Sequence, residues 1–362
     1  MELTQAALTS YLQQRHNAPV TIMHMAQLGS DTSGAAALKA FGYGRPIRVM
    51  YQVAGERYDI VVRQVKRNGF GRERPDDRMA EAWLDYATFN DLPNHVHADN
   101  IVSWSDAGTL ASAGHVREFL LVTNYASGQP YADDLLRIRD TGTCTARDVQ
   151  RAERLAAYLA AIHAAKHDDA LLWRRRIRDL VGHGEGIMGL TDSYPSNDPR
   201  ITSQTLQAIE VAANSWRWRL KPLAHRLSQV HGDFHPFNVL FDEQDRLILL
   251  DRSRGAWGEP ADDVSCMTIN YLFFGLQRDG ALTGACEMLY TTFWETYMRQ
   301  TEDAELLDVI APWFAWRALV LASPQWYPTI SDDVRQALLT FAQRVMAEPR
   351  FRWRMINPYV KG

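Results

Sequence analysis

Apolar positions change their spacing along this chain of 362 residues, from strand-like runs in the first third to helical intervals in the rest. Residues 1 to about 18 place Leu8, Tyr11 and Leu12 on one face of a short helix. Runs of β-branched and aromatic residues then predict strands at Val20–Met25, within Leu38–Val53, and at Tyr58–Val65. Met79–Tyr86 returns to helical spacing, with Trp83, Tyr86 and Ala87 on one face. Glu118–Asn124 reads as a buried strand that runs into Tyr125-Ala-Ser-Gly128-Gln-Pro130, where Gly and Pro break the pattern. Thr145-Ala-Arg-Asp148 has the form of a capped helix start, and Val149, Ala152, Leu155, Leu159 and Ile162 follow at helical spacing. Residues 167 to about 225 read as a helical insert with loops. Val239-Leu-Phe, a polar turn Asp242–Arg246, and Leu247–Leu250 then read as strand, turn and strand. Beyond Asp263, Met267, Tyr271 and Phe274, then Phe293 and Tyr297, then Trp313, Trp316 and Val320 recur at helical intervals.

The pattern predicts an α+β protein of two lobes: an N-terminal antiparallel sheet with a helix over 1–124, a linker at 125–130, and a larger, mostly α-helical C-terminal lobe over 131–362. Hydrophobic content of 46% and charged content of 23% are those of an ordinary soluble globular protein, and a net charge of -4 offers no attraction to nucleic acid or an anionic membrane. Cys144, Cys266 and Cys286 are odd in number and widely spaced, which speaks against a disulfide framework or zinc site and fits a reducing cytoplasm. The start Met-Glu-Leu-Thr-Gln lacks the basic and apolar regions of a secretory signal, and no window reaches the length of a spanning helix. A cytoplasmic protein without membrane or nucleic-acid partners is expected. The eleven tryptophans read as core fillers rather than as an aromatic binding surface.

The chemistry concentrates in His231-Gly-Asp233-Phe-His235-Pro-Phe-Asn238 and in Asp251 at the end of the following strand pair. Phosphoryl transfer to a hydroxyl needs a carboxylate that orients the hydroxyl and takes its proton, plus oxygen ligands that hold Mg²⁺ against the phosphates. Mg²⁺ keeps several waters, so one carboxylate and one amide oxygen suffice from the protein. Gly232 and Pro236 shape a loop from which both Asp233 and Asn238 can turn to one side.

The stretch resembles the aminoglycoside phosphotransferase and choline kinase family, whose catalytic loop reads His-x-Asp-x-x-x-x-Asn, with a metal-binding Asp on the next hairpin. The resemblance implies a two-lobed protein-kinase-like fold with a nucleotide-binding N-terminal lobe, a hinge linker, and a catalytic and acceptor-binding C-terminal lobe. It implies ATP (or GTP) and Mg²⁺, with Asp233 as catalytic base, Asn238 and Asp251 as metal ligands, and His231 and His235 supporting the loop. Trp257-Gly-Glu-Pro260-Ala-Asp-Asp263 also resembles the family's Gly-Asp-Pro-x-x-Asp stretch, although Asp263 reads better as the cap of the helix that begins there. Gly232 where protein kinases carry Arg, and Asp251-Arg252-Ser253 in place of Asp-Phe-Gly, favour the small-molecule branch.

The same resemblance points to further contacts with the nucleotide. The small hydroxyl loop Gly29-Ser30-Asp-Thr-Ser33-Gly34 would cover its phosphates, and a cation on the third strand, Arg63 with Lys66 as competitor, would meet the α- and β-phosphates. Glu81 would tether that cation, and the backbone of Val122, Thr123, Asn124 and Tyr125 would face the adenine. His163 reads as a satisfied core residue. The acceptor stays open among aminoglycosides, choline-like amines, homoserine and sugars. Glu259, Asp262, Glu287 and Glu295 could serve a polycation, and Trp and Tyr a quaternary ammonium. The expected function is an ATP-dependent kinase of a small hydroxylated molecule, with a non-catalytic, nucleotide-binding pseudokinase as the alternative.

Overall fold

The computed structural model describes residues 3–29, 44–66, 72, 75–105, 107–111, 118–196, 201–252 and 254–361. The elements begin with α1 (Gln5–His16), β1 (Val20–Gln27), β2 (Gly44–Val53), β3 (Glu56–Val65), α2 (Pro75–Thr88), β4 (Ala98–Trp104), β5 (Leu110–Ala111), β6 (Glu118–Asn124) and the short β7 (Gln129–Pro130). Helices α3 (Tyr131–Thr141), α4 (Ala146–His163), α5 (Ala170–Gly182), α6 (Ile187–Asp192) and α7 (Ser203–Leu220) follow. Four short strands come next: β8 (Ser228–Gln229), β9 (Val239–Phe241), β10 (Leu247–Leu249) and β11 (Trp257–Gly258). Then come α8 (Pro260–Asp279), α9 (Gly284–Thr301), α10 (Leu306–Val309), α11 (Ala311–Ala322), α12 (Asp332–Ala347) and α13 (Asn357–Val360). The chain is α+β, with the antiparallel sheet in its N-terminal part and helices dominating its C-terminal part.

Two compact units form. One gathers the described residues up to Gln129 together with 240–252, and the other holds those of 130–239 and from Arg254 onward. Residues 240–252, grouped by the sequence pattern with the C-terminal lobe, thus belong to the sheet unit. Backbone bonds explain why: Leu249 donates to Asn94 O at 3.2 Å, and Val96 donates to Leu249 O at 3.2 Å.

The sheet unit is built on an antiparallel sheet in the order β1-β2-β3-β6-β4-β5. Its β2–β3 hairpin closes on Ala54 and Gly55, at φ 49° and 91°, the left-handed pair that matches a two-residue turn to strand twist. Strand alternation then assigns the faces. Ile60, Val62, Leu120 and Val122 pack with Leu8, Tyr11 and Leu12 of α1, whereas Leu121 joins Phe89 and Ala98 on the side of α2. Arg63 pairs in register with Leu121 and lies one residue beyond Val62, so the pleat turns its side chain toward α2.

Helix α2 buries Arg78, Ala82 and Asp85, while Trp83 is 55% exposed and Ala87 faces solvent, because the ionic side of the helix meets Arg63. Strand β4, which the sequence pattern left unassigned, carries polar Asp99 and Asn100 ahead of Ile101, Val102 and Trp104. Those polar groups are satisfied by Arg15 and by the Tyr11 hydroxyl, the latter accepting from Asn100 Nδ2 at 2.7 Å.

The helical unit packs around α8, which is buried from Pro260 through Leu276 and contacts α9, α11, α3, α12 and α4. An all-round buried helix needs no polar face, which is why its sequence is apolar beyond any single stripe. Eight of the eleven tryptophans are buried core residues, Trp173 and Trp294 fully so. Helix α4 starts with a reciprocal capping box: Thr145 accepts from Asp148 N, and Asp148 accepts from Thr145 N at 2.6 Å. Replacing Thr145 by Ala should lower stability by about 1 kcal/mol. Urea denaturation followed by helical circular dichroism reads this, and an unchanged midpoint would count against the cap.

Candidate active site

The loop His231–Asn238 lies in the helical unit and is shaped by its anchors. Gly232 has φ 85°, a left-handed conformation, and a Cβ there would stand 3.2 Å from the Arg254 Cβ. The backbone N–H groups of His231 and Gly232 each donate to the carboxylate of Asp263 at 2.7 Å. His163 contacts that carboxylate through Nε2 at 3.1 Å, and its Nδ1 meets the Tyr297 hydroxyl at 2.7 Å. Burial by itself would raise the Asp263 pKa, but the His163 hydrogen bond, the nearby histidine charges and the backbone donors hold it below the ordinary carboxylate value. The cap of α8 is Glu259, which accepts from Ala261 N, so Asp263 is structural in another way: it fastens the loop His231–Asn238.

Asp233 is 9% exposed and carries cations on both sides. Arg254 Nη1 and Arg317 Nη1 each lie 2.8 Å from its Oδ1, and His235 Nε2 lies 3.5 Å from Oδ2. Burial opposes ionisation, yet Arg254, His235 and Arg317 pull the Asp233 pKa well below the usual range, so the group is a carboxylate at neutral pH. Asn238 Nδ2 donates to the Asp233 carbonyl at 3.1 Å and approaches Oδ2 at 3.4 Å. That fixes the amide and leaves Oδ1, to which no described residue donates, as the oxygen a hard cation would take. His235 also caps the turn after it, with Phe237 N donating to its Nδ1 at 3.2 Å.

A second ionic cluster lies within the sheet unit. Arg63 meets Asp251 at 2.9 Å, Glu81 at 3.2 Å and Asp85 at 3.3 Å. Glu81 and Asp85 stand one helical turn apart on α2, and Glu81 also takes Arg72 Nε at 2.5 Å. Burial drives the Asp85 pKa well above the carboxylate range against the pull of Arg63, and its Oδ1 has no hydrogen-bond partner among the described residues. Asp251 adopts φ 60°, a strained value for a non-glycine residue that persists only where its surroundings enforce it. Its neighbour Arg252 is fully buried and donates to the Thr88 carbonyl at the C-terminus of α2, where the helix dipole favours a cation.

The other sequence-designated residues have mixed positions. Gly29, at φ 74°, follows β1, while Ser30, Ser33 and Gly34 lie outside the described residues. Lys66 is half-buried just beyond β3. Val122 and Thr123 are buried in β6, and the N–H groups of Asn124 and Tyr125 donate to His97 O and Asp59 O at 3.2 Å. The Tyr125 ring lies under Arg48 at 3.6 Å. Sequence reasoning missed Arg317, Asp85 and Glu185. Arg317 did carry a signal, as the one charged residue in the otherwise apolar helix Ala311–Ala322, where a charge must be paired to be buried.

A buried, ionised Asp beside a fixed Asn, on a loop of the helical unit that follows an antiparallel sheet, is the arrangement that the resemblance to the phosphotransferase family implies. Residues 65–319 match the model of the phosphotransferase enzyme family, APH, and the chain belongs to that family. It is a small-molecule phosphotransferase by that membership. Among solved structures, aminoglycoside phosphotransferase APH(4)-Ia is 15% identical with a TM-score of 0.50, covering 99% of this chain and 100% of its own. LicA in complex with AMP is 13% identical with a TM-score of 0.51, covering 96% and 99%. Choline kinase LicA from Streptococcus pneumoniae is 13% identical with a TM-score of 0.50, covering 95% and 98%. These likenesses establish the fold. No curated protein matches the chain. No described helix is long and apolar enough to cross a membrane.

Asp263→Asn removes the charge that both loop amides face, and should cost about 3–5 kcal/mol at neutral pH, as breaking a buried ionic network does. The folded-state pKa of Asp263 lies below the unfolded carboxylate value of about 4, so its contribution is complete above that pH and fades as pH falls through the folded value. Urea midpoints of wild type and variant should therefore converge toward acid. A gap independent of pH would contradict the assignment.

Proposed function

We propose that this chain transfers the γ-phosphoryl group of ATP or GTP to a hydroxyl of a small molecule, in a cytoplasmic setting. The observation that carries the reading is the Asp233–Asn238 pair: a carboxylate kept ionised, five residues from an amide whose nitrogen is committed to the loop and whose oxygen is left over. In this reading the acceptor oxygen attacks the γ-phosphorus, its proton passes to the Asp233 carboxylate, and the nucleoside diphosphate leaves. A carboxylate with a lowered pKa is a weak base, so its main service is orienting the hydroxyl, the proton moving late.

Asn238 and Asp251 suit Mg²⁺ by donor type, since the ion takes oxygen ligands and needs few from the protein. When bound, the ion would neutralise charge on the transferring phosphates. Arg63 is the proposed phosphate-side cation, tethered by Glu81, with Lys66 as the competitor. The backbone from Val122 to Tyr125 is proposed to face the base, and Gly29, Ser30, Ser33 and Gly34 the phosphates. Residues 1–124 would then serve the nucleotide, 125–130 the hinge, and 131–362 catalysis and the acceptor. The binding of AMP by the LicA structure supports the nucleotide part of the proposal.

One observation favours a second reading. Both key carboxylates already hold guanidinium groups, Asp233 those of Arg254 and Arg317, and Asp251 that of Arg63, as a nucleotide-binding protein without turnover could afford. Asp233→Asn separates the two. With the first reading it lowers kcat by about 10²–10⁴-fold while nucleotide still binds. Undiminished turnover in a coupled diphosphate-release assay would remove Asp233 from the base role, and absence of turnover in wild type with bound nucleotide would favour the second reading.

Asp251→Ala should weaken binding of the Mg²⁺-nucleotide complex more than of nucleotide alone. Isothermal titration calorimetry with and without Mg²⁺ measures this, and equal losses would dismiss Asp251 as a metal ligand.

A further inference from the structure

The surroundings of Asp233 restrict what can bring a hydroxyl to it. Arg254 Nη1 donates to the Gly232 carbonyl at 2.9 Å as well as contacting Asp233, and Arg317 Nη2 reaches Asp262 at 2.5 Å. A hydroxyl placed on the Asp233 carboxylate therefore arrives next to two guanidinium groups. For a polycationic acceptor, the amines near the reacting hydroxyl would meet like charge there.

The buried acids among the candidates are already committed. Asp262 is 2% exposed and bonded to Arg317, and Glu259 is buried against Arg226 at 2.6 Å. Glu185 lies 3.5 Å from Arg254 itself. Glu295 is a solvent-facing residue paired with Arg354. The aromatic route to a cation is closed in the same way. Trp316, the indole at this site, has the guanidinium of Arg317 at 4.0 Å and that of Arg254 at 4.8 Å from its ring. A quaternary ammonium would have to displace a cation from the surface that should attract it.

Resting on the phosphotransfer reading, we infer that the acceptor is a hydroxyl compound bearing a negative group, a carboxylate or a phosphate ester, and that Arg254 is the residue that binds this group beside Asp233. Of the two guanidinium groups at Oδ1, that of Arg254 is the more accessible, at 13% against 6% for Arg317. Its planar fork can bind two anion oxygens at once, and Arg317, held by Asp262, can keep the Asp233 carboxylate in place while Arg254 turns to the acceptor.

The test is a transfer assay with radiolabelled ATP on matched probes: glycerol, glycerate and glycerol phosphate as the neutral, carboxylate and phosphate members, gluconate against glucose, and choline and kanamycin as cations. The expected result is a kcat/KM for a carboxylate or phosphate member at least about tenfold above its neutral counterpart, and no transfer to the cations. The carboxylate and phosphate arms tell the two sources of negative charge apart. In Arg254→Gln that preference should vanish mainly through KM for the acceptor, Arg254→Lys should restore part of it, and the KM for nucleotide should stay the same. Transfer that favours neutral or cationic members overturns the inference and leaves phosphotransfer standing. Transfer to no member, with no nucleotide binding by calorimetry, overturns both. Transfer to no member despite nucleotide binding overturns the inference and returns the chain to the non-catalytic reading.

Discussion

The loop His231–Asn238 depends on one buried anion, Asp263. Its carboxylate takes two consecutive backbone N–H groups from the start of that loop and the ring of His163, itself tied to Tyr297. Two charge-assisted hydrogen bonds to main chain are each worth about 1.5–3 kcal/mol, and they act where Gly232 must hold a left-handed conformation. Asp263 is set on α8, the helix around which the unit packs, so the loop inherits the rigidity of the core. A side chain on such a loop is held in place by the backbone beneath it.

The other buried acids of the unit are paired with arginine rather than with water. Asp233 sits between Arg254 and Arg317, Asp262 between Arg317 and Arg176, and Glu259 on Arg226. Removing a charge from water costs several kcal/mol, so each of these carboxylates is tolerable only with its partner present. The pairing also sets the sign of the site. Arginines bonded to buried acids neutralise them as attractants for a cationic ligand, and a guanidinium has donors left over after one carboxylate is satisfied. The unpaired Nε of Arg317 is one such donor, buried and without a partner among the described residues.

Much of this was legible in the sequence. The spacing of Asp233 and Asn238, the strand runs of β1 to β3, and the capped start of α4 are local patterns, and local patterns survive folding. What escaped notice was non-local. The shared side of Trp83 and Ala87 on α2 is a local pattern, but which side of the helix is buried is not. The ionic side is the buried one, since Arg63 meets Glu81 and Asp85. Asp263 looked like a helix cap because it stands in the first turn, and Glue-like roles of this kind depend on which chain segment packs above it. Asp99 and Asn100 hid β4 because their partners, Arg15 and Tyr11, lie on a helix some 85 residues earlier.

Arginine at position 63 shows how one side chain organises its surroundings. Lysine would offer a point charge on a flexible stem. The fork of Arg63 reaches Glu81, Asp85 and Asp251 together, and its stem runs close to Gly44, where a Cβ would stand 3.0 Å from the Arg63 Nε. Three acids meet Arg63 while Arg72 also serves Glu81, and burial, then Asp251 and Glu81, raise the pKa of Asp85 against the pull of Arg63 and Arg72, which lightens the negative charge of the cluster. Arg252 adds a further constraint by anchoring the backbone next to Asp251 to the end of α2. Asp251 is therefore held from both sides, by its own side chain through Arg63 and by its neighbour through Thr88, which is how a non-glycine residue is kept at positive φ.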